Sequence, residues 1–272
     1  MATIHSTALV DPAAQLDTSV TVGPYTIIGP NVTIGAGSTV GSHCTIEGYT
    51  TIGSNNHIHS YTSLGAAPQD KKYAGEPTRL VIGNGNSIRE FCTFNAGTVS
   101  GGGVTKVGDD NLFMAYVHLA HDCHIGSHTI FANNSQLAGH VVVGDWVILG
   151  GFTVVRQFLR LGAHSFTAMC TLLFADLPPY VTCQGQPASA RTVNAEGLRR
   201  RGYSPTRIAA VRAMHKALYR ENLTFEAAKA RIIQIAKDKP EAQADVDMML
   251  DFLAGVSPNV CIVRSLRSSF DC

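Results

Sequence analysis

The sequence predicts an all-β parallel β-helix followed by a small α-helical domain, and two observations carry that reading. The first is a six-residue apolar rhythm: Ile4, Val10, Leu16, Val22, Ile28 and Ile34 begin a run that continues unbroken to Ile58 and Leu64. Neither an α-helix nor an alternating strand has that period, but a parallel β-helix does when each hexad forms one flat side of a triangular coil. Three hexads complete a turn, so residues 18 apart stack at roughly the 4.8 Å strand spacing. The second observation is a change of composition after Leu177-Pro-Pro-Tyr180, where helix caps replace the hexads.

In chain order, the anchors from Ile4 to Leu64 build stacked apolar columns, each coil stable only against its neighbours. Gly follows the anchor at Gly23, Gly29, Gly35, Gly41, Gly53 and Gly65, which predicts a corner of positive φ in that slot. The rhythm stops after Leu64 and resumes at Ile82, Ile88 and Phe94, leaving residues 66–80 as an external loop suited to binding. A second break at Val99-Ser-Gly-Gly-Gly-Val104 shifts the phase by one residue. Anchors then run from Val107 to Leu173, with only Thr167 out of character. Pro178 and Pro179 remove ladder donors and are expected to end the β-helix. Ser204-Pro205 caps a helix to about Glu221, Thr224 a second to about Lys237, and Pro240 opens a third to about Ala254. The expected division is β-helix over 1–190, α-helical domain over 191–255 and an unassigned tail over 256–272.

At 272 residues, with 15% charged residues, 26 glycines and a formal charge of +1, the chain fits a turn-rich folded protein and not a globally basic nucleic-acid binder. No apolar run reaches transmembrane length and no secretory leader stands at Met1-Ala-Thr-Ile, so a cytoplasmic protein is expected. Cys44, Cys92 and Cys123 share one hexad position that otherwise takes small residues, which reads as buried packing in a reducing compartment. Arg191, Arg199, Arg200, Arg201, Arg207, Arg212, Lys216 and Arg220 give the leading part of the helical domain a basic face, suited to an acidic or phosphate-bearing partner.

The chemistry concentrates in His118-Leu-Ala-His-Asp-Cys-His and Leu137-Ala-Gly-His140. The 18-residue stack puts His121 beneath Gly139, Gly139 beneath Gln157, and His140 above Asp122. A neutral imidazole accepts a proton near pH 7, and an adjacent carboxylate fixes its tautomer. The Gly139 N–H one coil higher is a donor for a carbonyl oxygen gaining charge, so the trio fits acyl transfer to a hydroxyl. Two other classes stay open on the residues alone. His118, His121 and His140 are a ligand set for zinc, as in the gamma class of carbonic anhydrases. A purely structural or ice-binding β-helix is disfavoured by the long loop and the basic helical domain.

The blocks Gln69-Asp-Lys-Lys-Tyr-Ala-Gly-Glu-Pro-Thr-Arg79, His118-Leu-Ala-His-Asp-Cys123, Leu137-Ala-Gly-His140 and Val193-Asn-Ala-Glu-Gly-Leu-Arg-Arg-Arg-Gly202, in this order, resemble the bacterial UDP-N-acetylglucosamine O-acyltransferases of lipid A biosynthesis. These are hexapeptide-repeat enzymes, and the likeness spans about residues 1–255. It implies a homotrimer of left-handed β-helices, an exception to the usual right-handed crossover. It also implies transfer of an (R)-3-hydroxyacyl chain from acyl carrier protein to the 3-hydroxyl of UDP-N-acetylglucosamine, with no cofactor and no metal. A hexapeptide-repeat acyltransferase using acetyl-CoA is the alternative within the same class.

Carried over by motif, His121 looks like the general base, Asp122 its orienting partner and Gly139 the oxyanion donor. Asp70, Lys72, His118, His140, Gln157, Asn194, Glu196, Arg200 and Arg201 match positions that hold the nucleotide sugar, with the loop at Asp70 and Lys72 expected from a neighbouring subunit. Gly151 and Met169 match the acyl-chain ruler, where a bulky Met169 implies a chain of about ten carbons. The chain departs from the family at Arg156, where Val-His-Gln is usual, at Asn95-Ala96, where His-Arg is common, and in its tail.

Overall fold

A computed structural model describes residues 1–256 and 262–264 and shows a left-handed parallel β-helix of triangular section, followed by α-helices. Among the described residues its three faces have 11, 9 and 8 strands, opened by Thr3–Ile4, Leu9–Val10 and Gln15–Leu16 respectively. Consecutive strands step to the next face, and partners on one face are 18 apart, as in Thr21↔Thr39 and Gln136↔Val154. From Val22 onward the anchors are almost fully buried, whereas Ile4 in the first coil is 43% exposed, because that coil has a neighbour on one side only. Thr167 is buried like its apolar counterparts, its hydroxyl 2.8 Å from that of Thr153 and accepting from Gly150 N at 3.0 Å. The thiols of Cys44, Cys92 and Cys123 are buried and donate to main-chain carbonyls at 3.1, 3.2 and 3.3 Å.

The corner chemistry differs from the glycine expectation. Positive φ falls mostly three residues after the anchor, on non-glycine residues such as Tyr25 (58°), Asn55 (56°), Phe91 (61°), Trp146 (63°) and Phe158 (64°), and of the glycines named only Gly65 (82°) has it. Glycine right after the anchor answers a different need: a Cβ on Gly53 would lie 2.6 Å from the Gly83 carbonyl of the next coil. The left-handed conformation is costly for bulky residues. Here it stacks their rings up the edges, as in Tyr61–Phe91 at 5.1 Å and His128–Trp146 at 4.2 Å.

Both interruptions of the rhythm leave the same edge, between the second and third faces. Ile52 pairs with Ile82, 30 residues on instead of 18, so the first insertion adds 12 residues between Ser63–Ala66 and Arg79–Ile82. Ile82 pairs with Val107, 25 on, so the second adds seven, including a short 3-10 turn Val99–Gly101. The proline pair does not end the coil. Leu177 still bridges Leu161, and Val181–Gln184 still pairs in parallel with Phe166–Thr167 before a hairpin returns through Ser189–Val193. The prolines sit at the corner before that strand, where the ladder asks for no N–H.

Beyond the hairpin come α1 (Ala195–Arg200), α2 (Pro205–Tyr219), α3 (Phe225–Asp238) and α4 (Gln243–Ala254). Ser204 and Thr224 cap α2 and α3 as expected, their hydroxyls accepting from Arg207 N and Ala227 N. The helices are fixed to the coil by Asp245, a buried carboxylate that accepts from the Tyr180 hydroxyl at 2.9 Å and from Arg207 at 2.8 and 2.9 Å. In the tail, Val263 N donates to Asp176 O at 2.8 Å, and residues 257–261 and 265–272 lie outside the described residues. No helix among the described residues is long and apolar enough to cross a membrane.

Candidate active site

The second–third edge gathers His118, His121, Asp122, Gly139 and His140. Asp122 occupies a left-handed corner position (φ 60°) whose side chain turns inward and is 1% exposed. Its carboxylate accepts from Thr98 N at 2.8 Å, the Thr98 hydroxyl at 2.6 Å and His121 Nδ1 at 2.8 Å, while its own N–H donates to the Thr105 hydroxyl at 2.8 Å. The bond to Asp122 puts the His121 proton on Nδ1 and leaves Nε2 with a free lone pair. His140, one coil higher, crosses His121 edge to face at 5.0 Å and holds Nδ1 3.8 Å from Asp122. Burial lowers the His140 pKa, and the carboxylates of Asp122 and Asp70 oppose that shift. His118 bonds the Thr93 hydroxyl at 2.8 Å, and burial lowers its pKa as well.

Gly139 is required here on steric grounds. A Cβ there would stand 2.6 Å from His121 Cε1 and 2.9 Å from Nε2, so any side chain would displace the ring. The Gly139 carbonyl accepts from Phe158 N at 3.1 Å, while its N–H donates to no protein acceptor among the described residues. Gln157 and Arg156 are exposed one coil above.

Sequence reading missed the residues that seat the carboxylate. Thr98 and Gly101 come from the second insertion, and a Cβ on Gly101 would collide with the Asp122 carboxyl group. The signal was present as the triple glycine Gly101-Gly-Gly103, whose need becomes visible once the turn is seen to close over Asp122. Opposite lies the first insertion: Asp70, Lys72, Tyr73 and Glu76 face Thr98, Val99 and Ser100 across a cleft of about 240 Å³. Asn95, which replaces a common family histidine, is buried and ties this loop down through Nδ2 to Ala67 O at 3.1 Å. Within one chain the Asp70 carboxylate acts weakly on His140, opposing the fall in its pKa that burial causes.

The other predicted residues stand elsewhere. Asn194, Glu196, Arg200 and Arg201 line a cleft of about 530 Å³ with Trp146 and Ile148 on the first face. Arg201 lies over the Trp146 ring, 4.9 Å from its centroid, and burial lowers its pKa. Glu196 pairs with Arg199 and, at 3.1 Å, with Arg200. Asn194 is the N-cap of α1, accepting from Gly197 N at 3.2 Å. Gly151 and Met169 lie on the first–second edge. Met169 is 72% exposed, so its side chain is not part of the coil's packed interior. The basic face loses Arg207, committed to Asp245 and the Tyr203 ring, while Arg191, Arg199, Arg200, Arg212, Lys216 and Arg220 stay exposed.

His121, Asp122 and His140 also bring their ligand atoms within 4.8 Å of one another, the set a divalent cation would take. Asp122 Oδ2 already accepts from the Thr98 hydroxyl and His121 Nδ1, so a cation on that oxygen would compete with the bond to His121.

Comparison with known proteins agrees with the geometry. The family described as Udp N-acetylglucosamine O-acyltransferase, Domain 2, matches residues 176–261, and bacterial transferase hexapeptide repeats match 13–48 and 105–139. The chain is 68% identical to an acyl-[acyl-carrier-protein]--UDP-N-acetylglucosamine O-acyltransferase of Albidiferax ferrireducens, over 97% of this chain and 100% of that one. A relative of the same description from Thiobacillus denitrificans is 57% identical over 93% and 97%. Among solved structures, LpxA of Acinetobacter baumannii superposes with a TM-score of 0.89 at 43% identity, covering 95% of this chain and 99% of that one. The Francisella novicida UDP-N-acetylglucosamine acyltransferase gives 0.92 at 38%, covering 98% and 95%. With 68% and 57% identity to these relatives over nearly its whole length, the chain belongs to the UDP-N-acetylglucosamine O-acyltransferase family.

Proposed function

We propose that the protein transfers an (R)-3-hydroxyacyl chain from acyl carrier protein to the 3-hydroxyl of UDP-N-acetylglucosamine in the cytoplasm, the first step of lipid A biosynthesis. The observation that carries this reading is the His121–Asp122 pair against Gly139. His121 Nε2 takes the proton from the sugar hydroxyl as its oxygen attacks the thioester carbonyl. The carbonyl oxygen gains charge beside the Gly139 N–H. Collapse expels the thiolate of the carrier's prosthetic arm, and the imidazolium returns the proton to that sulfur. Buried Asp122 stabilises the charged ring throughout. The acyltransferase relatives favour this reading over zinc chemistry.

The working unit we propose is a homotrimer. The proposed catalytic residues lie on the second–third edge, the nucleotide cluster at Asn194, Glu196, Arg200 and Arg201 by the first face, and the ruler on the first–second edge. The body of one coil separates these sites, and a rotated neighbour brings the edges of different copies together. Purified protein given UDP-N-acetylglucosamine, a series of hydroxyacyl carrier proteins and acetyl-CoA as competing donor tests the activity. Preference for acetyl-CoA would replace this reading with the alternative, and a fully active monomer in sedimentation would remove the trimer.

A further inference from the structure

The third–first edge carries a cluster that acyl transfer does not use. His164 is 7% exposed and lies between the rings of Trp146 and Tyr180, at 6.4 and 5.4 Å and within 6° of parallel. Its main-chain carbonyl accepts from the Asn194 amide at 3.2 Å, Nδ1 is 3.1 Å from Arg201 Nη1, and Nε2 is 3.2 Å from the Tyr203 hydroxyl. A guanidinium only donates, so Nδ1 accepts and the ring proton sits on Nε2. Asn194 and Arg201 are the N-cap and C-cap of α1. One coil residue therefore grips both ends of a six-residue helix, which is far too short to be stable by itself.

We propose that His164 is a positioning residue for the nucleotide cleft, docking α1 at both ends and aiming the Arg201 guanidinium over Trp146 so that the cleft is preformed for a uridine nucleotide. This rests on the reading of the Arg201 cleft as the nucleotide site. Burial, with the Arg201 cation second, pushes the His164 pKa down to about 4, so the ring remains a neutral acceptor. The joint is braced from behind, because Tyr180, stacked on His164, bonds Asp245, which Arg207 holds on the other side. Phe is tolerated at this corner position, as Phe158 with φ 64° shows, and Asn returns an acceptor near Nδ1.

Trp146 is the chain's single tryptophan, so its fluorescence reports binding without turnover. Titration with UDP-N-acetylglucosamine is expected to show Kd raised about tenfold in His164→Phe and within about threefold of wild type in His164→Asn, with the KM for the acyl donor unchanged in both. Tyr203→Phe, which removes the Nε2 contact and leaves the Nδ1 contact with Arg201, is expected to bind like wild type. If His164→Phe loses its coil by circular dichroism, His164→Gln replaces it with the same expectation. Wild-type affinity in His164→Phe alongside weakened Arg201→Ala overturns the role of His164, as does equal weakening in the Phe and Asn variants. Wild-type affinity in Arg201→Ala overturns the nucleotide reading of the cleft itself.

Discussion

The second–third and third–first edges are built from the same repeat position, the left-handed residue three after the anchor, yet they do opposite things. On the third–first edge His128, Trp146, His164 and Tyr180 stack face to face and the helical domain closes over the upper rungs. On the second–third edge the corresponding residues are Asp122, His140 and Phe158, and the two insertions hold the lower rungs apart. A carboxylate at one corner, Asp122, stops the ring stack below His140 and Phe158 and holds the neighbouring His121 imidazole by Nδ1, the pair we propose as catalytic. The repeat supplies the position, and what is docked on it decides whether the position is structural or reactive.

The largest expected break in that comparison is His121→Ala, which lowers kcat by about 10²- to 10⁴-fold while leaving the melting temperature and nucleotide binding in place. Steady-state kinetics with Trp146 fluorescence as the binding control reads both, and wild-type turnover would end the general-base assignment. Asp122→Asn keeps the Thr98 contact but removes the charge, and a fall in kcat of about 10- to 100-fold is expected with KM nearly constant. Gly101→Ala forces the second insertion off the Asp122 carboxyl group, with a loss of about 1–3 kcal/mol in denaturant unfolding. An unchanged midpoint would show that the turn is not seated on that carboxylate.

How much of this was readable in the sequence follows from the period. A step of six residues fixes the faces, the register and hence the rise of Gly139 over His121, because stacking is set by chain separation alone. It is blind wherever the separation is broken. Thr98 meets Asp122 across 24 residues, which is not the 18 of a full turn, because the second insertion brings it back over the coil. α1 escaped notice because a six-residue helix shows no apolar period, and Arg207 looked free because its partner Asp245 lies 38 residues away on another helix.

A pH titration sharpens the same contrast. Burial, aided by nearby arginines, pushes both His164 and His215 from the ordinary 6.5 down to about 4. The unfolded chain takes up these protons first, so stability is at its full value above pH 6.5 and falls as pH drops from there towards about 4. A loss of about 2 kcal/mol for each ring, about 4 kcal/mol for the two, is expected by pH 5 in urea unfolding. A flat profile would show that these rings are not held neutral. The smallest effect expected is from Met169→Gly, which raises the ratio of kcat/KM for a fourteen-carbon over a ten-carbon donor by about tenfold or less, since each buried methylene contributes about 0.8 kcal/mol. An unchanged ratio would remove Met169 as the ruler.

The edge that bears Gly151 and Met169 imposes a grain on any measurement of length made along it. Adjacent rungs are one strand apart, about 4.8 Å, and hydrogen bonding between coils forbids intermediate spacings. Moving a stop up or down by a whole coil therefore changes the permitted chain by several methylenes at once. A finer adjustment has to come from the reach of one side chain within a rung, and an unbranched thioether with three rotatable bonds suits that task. If Met169 is the ruler we propose, selection on chain length proceeds in two gears, coarse by which coil carries the bulky residue and fine by which residue it is, on an edge separate from that of His121.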